Sequence, residues 1–289
     1  MKRILVIFSL FLCSSMHAQI LEDTESKLAF LADVMTNAAE ETHRKYAFDQ
    51  FSELLLDALK KEESFSESFE KVRFISIKEP ENKTFRIITW HFRGDTLSGQ
   101  YKGVLQTNVG ETILLHDVFD GSEDFTEGYM DSNSWFGAAY YNLKQINQGK
   151  QEYYLLFGIR YWNEFENIKV CEVLSFENGK IVFGKKIFTN PVIGKSSSRL
   201  VFRYAKAAYF TLNFNEGLEM IVHDHLIPQM YPGAGSSLVP DGSLSGYTIK
   251  DGSWEYVDEI YNETLDEAPR PKPVLDGAKK DLFGRERKQ

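Results

Sequence analysis

YYLLFGIRYW (residues 153–162), KVCEVLSF-ENGK-IVFGKKIF (169–188) and RLVFRYAKAAYFTLNF-NEG-LEMIVHDHLIP (199–228) decide the fold class. They are apolar, aromatic and β-branched runs of strand length. Tight glycine-containing turns break the second and third. Asn178-Gly179 is the pair favoured in a type I′ hairpin turn. The pattern predicts an antiparallel meander and a mainly β protein, either a sandwich or a partly closed barrel.

Working upstream, VRFISIK, TFRIITWHF, SGQYKGVLQT and ETILLHDVF predict a four-stranded antiparallel unit across residues 71–119, with turns at Pro80–Asn82 and Gly94-Asp95. Trp135–Leu143 fits a strand or a short helix. Downstream, GYTIK-DG-SWEYV predicts a last hairpin, whereas residues 229–246 lack periodicity and read as an irregular loop. Residues 23–61 are the helical segment. Leu28, Leu31, Met35 and Ala38, then Phe48, Phe51, Leu55 and Leu59, recur every three or four positions in one helix or two. Asp23 or Thr24 is the expected N-cap.

The opening MKRILVIFSLFLCSSMHAQ has a basic start, an apolar core from Ile4 to Leu12, and Met16 and Ala18 before a cut at Gln19. It reads as a signal peptide over 1–18, and the protein is therefore expected in the periplasm or outside the cell. A single β-rich domain is expected over 19–261, followed by a polar, Pro-rich disordered tail over 262–289. No later run is long enough for a membrane span. The formal charge of −9 becomes −11 once Lys2 and Arg3 are removed, which argues against nucleic acid as a partner. Cys171 would be the one remaining cysteine, so no intrachain disulfide is available and a large core must supply the stability.

Trp135-Phe136-Gly137-Ala138-Ala139-Tyr140-Tyr141, Tyr154–Gly158, Asp224-His225-Leu226 and Val239–Ser243, in that order and spacing, resemble a group of uncharacterised exported proteins of Bacteroidota bacteria. The resemblance covers about residues 25–260. It implies export and an intact β-rich body, but no activity.

Several constellations are candidates for chemistry. On a strand, His223 and His225 share a face and would begin a zinc site, with His116, Asp117 or Asp241 as further ligands. Asp224, His225 and Asp117 are the catalytic candidates of a periplasmic hydrolase. The plainer reading has Asp224 and His225 locking a strand end onto the loop that starts at Pro228. Trp135, Tyr140, Tyr154 and Asp241 are the ligand-binding candidates, in an aromatic series that also includes Tyr141, Tyr153, Tyr161 and Trp162. The acidic loop around Asp120–Asp131 lacks the glycine of an EF-hand, and Gly233–Ser237 lacks the lysine of a P-loop. No nucleophile, base and orienting acid are assembled in sequence, and no cofactor is implied. The leading expectation is a noncatalytic binding or envelope-structural role, with an envelope protein or a glycan as partner.

Overall fold

The computed structural model describes residues 22–94, 99–121, 125–149, 151–190, 194–231 and 235–260. The expected signal peptide and tail lie outside them. The fold is mainly β, with two N-terminal helices and no closed barrel among the described residues.

The helical segment is two helices, α1 (22–37) and α2 (Glu41–Leu59). The break is held by Arg44 of α2, whose Nη1 donates to the carbonyls of Ala38 and Ala39 at 2.8 Å each. A cation is thereby placed at the end of α1, where the helix dipole favours it. Asp23 and Thr24, expected to cap the helix, lie inside α1.

The first sheet is β1 (Ser76–Lys78), β2 (Phe85–Phe92), β3 (Gln100–Thr107) and β4 (Thr112–His116), antiparallel and in sequence order. The second contains β5 (Ala139–Gln148), β6 (Gln151–Tyr161), β7 (Glu166–Glu177) and β11 (Arg199–Ala205) in the order β11-β7-β6-β5. Strand β8 (Lys180–Phe183) folds back on β7. The third runs β10 (Lys195–Ser197), β9 (Phe188–Asn190), β15 (Ser253–Val257), β14 (Gly235–Lys250), β13 (Met220–Tyr231), β12 (Leu212–Asn215). Only the β15–β9 ladder among these is parallel. The chain from Tyr153 to Pro228 therefore crosses between two sheets.

Alternation along the strands explains the layering. In β2, Phe85 and Ile87 face the second sheet, while Ile88, Trp90 and Phe92 face the helices. In β6, Tyr154 and Leu156 face the first sheet, and Tyr153, Leu155 and Phe157 the third. The second sheet is thus covered on both faces, and so its strands read as unbroken apolar runs. Asn178 (φ 51°) and Gly179 (φ 75°) make the β7–β8 turn, and Asp251 (φ 49°) and Gly252 (φ 86°) the β14–β15 turn. Two positive φ values are what a type I′ turn requires.

Residues 229–246 correct the expectation of an irregular loop. Most of them belong to β13 and β14, which pair from Ile221↔Tyr247 to Tyr231↔Gly235 across a bulge at Asp224/Leu226. Beyond the bulge the two strands form a ribbon with Ile227, Met230 and Leu238 exposed. Solvent on both faces removes the period-two signal that would have marked these strands.

Two polar clusters sit between the first and second sheets. Glu172 and Arg199 are 0% exposed and paired at 2.8 Å. Tyr140 donates its hydroxyl to the same carboxylate at 2.7 Å and accepts the indole N–H of Trp135 at 2.7 Å. Gly158 lets the Tyr140 ring lie on β6, since a Cβ there would stand 2.8 Å from the ring. Removing one member of such a pair strands the other charge in the core. Arg199→Met is therefore expected to lower unfolding free energy by about 3–5 kcal/mol in equilibrium denaturation, and Glu172→Leu/Arg199→Met to recover much of that loss.

Candidate functional site

The residues singled out in the sequence occupy separate places. Asp117 pairs with Arg160 at 2.9 Å, beside the carbonyl of Gly137, which Arg160 also reaches at 2.7 Å. Gly137 is held at φ +72°, in the left-handed region, and a side chain there would collide with this pair. Burial pushes the Asp117 carboxyl above its usual range, against the pull of Arg160. The Arg160 guanidinium lies 4.5 Å from the ring centroids of both Tyr101 and Phe119. Asp117 is thus a structural anion buried between sheets.

Asp224 Oδ2 accepts the N–H of Thr211 and its hydroxyl at 2.5 and 2.8 Å. It locks the segment entering β12, not the stretch after Pro228, which is itself strand. His223 donates Nδ1–H to the Asp224 carbonyl at 2.8 Å, and its ring packs 4.5 Å from Phe202 and 6.3 Å from Tyr256. Burial lowers the His223 pKa. His225 instead meets Asp241 across the ribbon, Nδ1 to Oδ2 at 2.8 Å. Asp241 is held down at about 2, first by the N–H of Ser243 and then by His225. The bulge after Asp224 separates the two imidazoles, and no group of three His, Cys, Asp or Glu could hold a metal ion among the described residues.

His225, Asp241 and Ser243 do converge, but in an order unsuited to hydroxyl activation. The Ser243 hydroxyl donates to the carboxylate at 2.7 Å rather than facing the imidazole Nε2, where a general base must take the proton. Trp135, Tyr140 and Tyr154 are at most 2% exposed and line the layer between sheets. Their rings are core and offer no face to a ligand.

The concave surface lies elsewhere, at the open end of β2 and β6. Two cavities share His91, Arg93, Gly94 and Tyr161. The narrower, about 60 Å³, is also lined by Gly99, Trp162, Asn163, Glu164, Asn167 and Lys206. The broader, about 600 Å³, extends to Met35, Thr36, Arg44 and Phe74 beside the helices. His91 lies on the β2 face toward the second sheet and stacks on Tyr101 at 5.2 Å and 14°. The Tyr161 ring lies 5.3 Å from His91, tilted by 39°, and the Tyr161 N–H is fixed by the Tyr101 hydroxyl at 2.7 Å. Asn167 is 8% exposed, and its Oδ1 has no hydrogen-bond partner. A buried acceptor left open in this way costs about 1–3 kcal/mol. Arg93 and Lys206 make no ion pair among the described residues. Sequence reading named Tyr161 and Trp162 but not His91, Arg93, Asn167 or Lys206, since these come from distant strands and turns.

No family model, no curated protein and no solved structure matches this chain.

Burial holds His91 at about 4, helped by the nearby charges of Arg93 and Arg160. The unfolded imidazole titrates near ~6.5. Between these values the unfolded chain binds a proton that the folded chain refuses. Stability is therefore full above ~6.5 and falls as pH drops toward ~4, by about 3 kcal/mol for this group. His223, also lowered, adds to the slope with the same sign. His91→Gln is expected to flatten the slope measured by urea denaturation from pH 7 to 4.5. Asp224→Ala, which orphans the Thr211 N–H, is expected to cost about 2–3 kcal/mol at pH 7.

Proposed function

We propose that the protein is exported and binds a small polar ligand in the cleft between His91, Arg93 and Tyr161, without chemistry on it. The observation that carries this reading is the aromatic-walled concavity shared by His91, Arg93 and Tyr161, whose narrower part is lined by Trp162 and the buried Asn167. A cleft of about 600 Å³ is of the size that takes small molecules. Export is supported by the basic, apolar and small-residue pattern of 1–18 and by the resemblance to exported Bacteroidota proteins. A noncatalytic role is favoured over the hydrolase because Asp117 is committed to Arg160, Asp224 to Thr211, and Ser243 to the wrong side of the Asp241–His225 pair.

The test is isothermal titration of the exported protein, its N-terminus established by mass spectrometry at Gln19, with neutral and acidic oligosaccharides. At least one class is expected to bind. Tyr161→Ala and Asn167→Ala are each expected to weaken binding about tenfold, equivalent to about 1.4 kcal/mol, with unchanged circular dichroism. Absence of binding to every member, or binding that neither variant alters, would remove the cleft as the functional site and leave an envelope-structural role.

A further inference from the structure

We infer that the ligand of this cleft is an anionic sugar, a pyranose bearing a carboxylate. The inference rests on the cleft being a binding site and goes on to its ligand class. Tyr161, 38% exposed at the mouth, presents an aromatic face of the kind on which the C–H surface of a sugar ring packs. Trp162 lines the same narrow cavity. Asn167 and Asn163 line it too, and amide side chains carry both donors and acceptors that match sugar hydroxyls.

The acid follows from charge. The whole chain carries −9, yet among the described residues the charged side chains lining the two cavities are Arg44, Arg93 and Lys206 against Glu164. Arg44 is engaged by the end of α1, which leaves Arg93 and Lys206 as the cations facing a ligand. A guanidinium offers a carboxylate two parallel donors. Glu164, together with Glu41 packed against Gly94, favours one negative charge on the ligand over the two of a phosphate monoester. The dimensions agree. The narrow cavity has room for a hydroxyl or a carboxylate, and the broad one for one or two sugar rings.

The experiment compares, by calorimetry on the exported chain, an oligomer of glucuronic acid with its carboxyl-reduced counterpart of the same length and linkage, and with a sulfated neutral glucan. The acid is expected to bind at least tenfold tighter than the reduced chain. Arg93→Gln and Lys206→Gln, both at exposed positions, are expected to remove most of that preference, bringing the affinities for acid and reduced chain within about threefold of each other. Equal affinity for acid and reduced chain, with both weakened by Tyr161→Ala, would overturn the anionic ligand and leave the cleft as a neutral-sugar site. Binding of the sulfated glucan without the uronate would overturn the carboxylate. Failure of all three to bind would overturn the ligand class and the cleft together.

Discussion

Glu172 and Arg199 form the contact on which the layered structure depends. The middle of the second sheet is covered on both faces, so the charge of Glu172 on β7 has no route to water. It persists because every part of it is engaged. Arg199 Nε meets Glu172 Oε1, Tyr140 bonds Oε2, and Arg199 Nη1 reaches the carbonyl of Phe125 at 2.7 Å. The pair joins β7 to β11, ties the segment at Phe125 to the sheet, and orients Tyr140, which in turn fixes Trp135. A buried ion pair adds little net stability over a hydrophobic replacement. What it does impose is register. Sliding β11 by one residue along β7 would turn Arg199 toward the opposite face and leave Glu172 unpaired.

The same device recurs at the other interface of the first sheet. Arg86, on the helix-facing side of β2, bonds Gln106 at 2.9 Å and the Ser64 carbonyl at 2.6 Å. Gln106 passes the connection on to the Leu59 carbonyl and the Ser64 hydroxyl. The end of α2 and the 3-10 turn after it are thus anchored to the sheet by a satisfied polar network. These contacts place the helices along one side of the cleft and the β6 end along the other. The concavity is a consequence of layering: three surfaces diverge where β2 and β6 both run out.

How much of this was legible in the sequence depended on what each residue faced. Strands β6, β7 and β11 of the second sheet were plain because burial made them largely apolar runs, whereas the half-buried β5 read equally as a strand or a short helix. The Asn178-Gly179 and Asp251-Gly252 turns were plain because their local geometry needs positive φ. The four-stranded antiparallel unit of the first sheet was also visible. The ribbon was not, since its apolar residues Ile227, Met230 and Leu238 are exposed and carry no alternation to read. Nor could sequence choose which aromatic rings are core. Trp135, Tyr140 and Tyr154 share composition with Tyr161 and Trp162, and only position along the strand distinguishes them: the last two stand where β6 leaves the sheet. Asp224 and His225 looked like one unit, yet the bulge between β13 and β14 sends one carboxylate to Thr211 and the imidazole to Asp241. His91-Phe92-Arg93, a polar–apolar–polar ending before a glycine turn, was the one local signal of a strand terminus opening onto a cavity.

The two arginines nearest His91 divide their work by burial. Arg160 is enclosed between Tyr101 and Phe119 and neutralised by Asp117, so its charge is spent inside the protein. Arg93 is exposed, and no described carboxylate answers it. Between them His91 stays neutral, because protonating it would add a third cation in a desolvated place. The imidazole therefore serves as a flat wall, stacked on Tyr101, and not as a charge. Positive potential at the cleft is left to groups that reach out from its rim. An acidic body repels anions within the roughly 8 Å over which salt screens charges only weakly. Such repulsion is weakest where the body's own cations lack carboxylate partners, and among the described residues Arg93 and Lys206 make no ion pair at the end of β2.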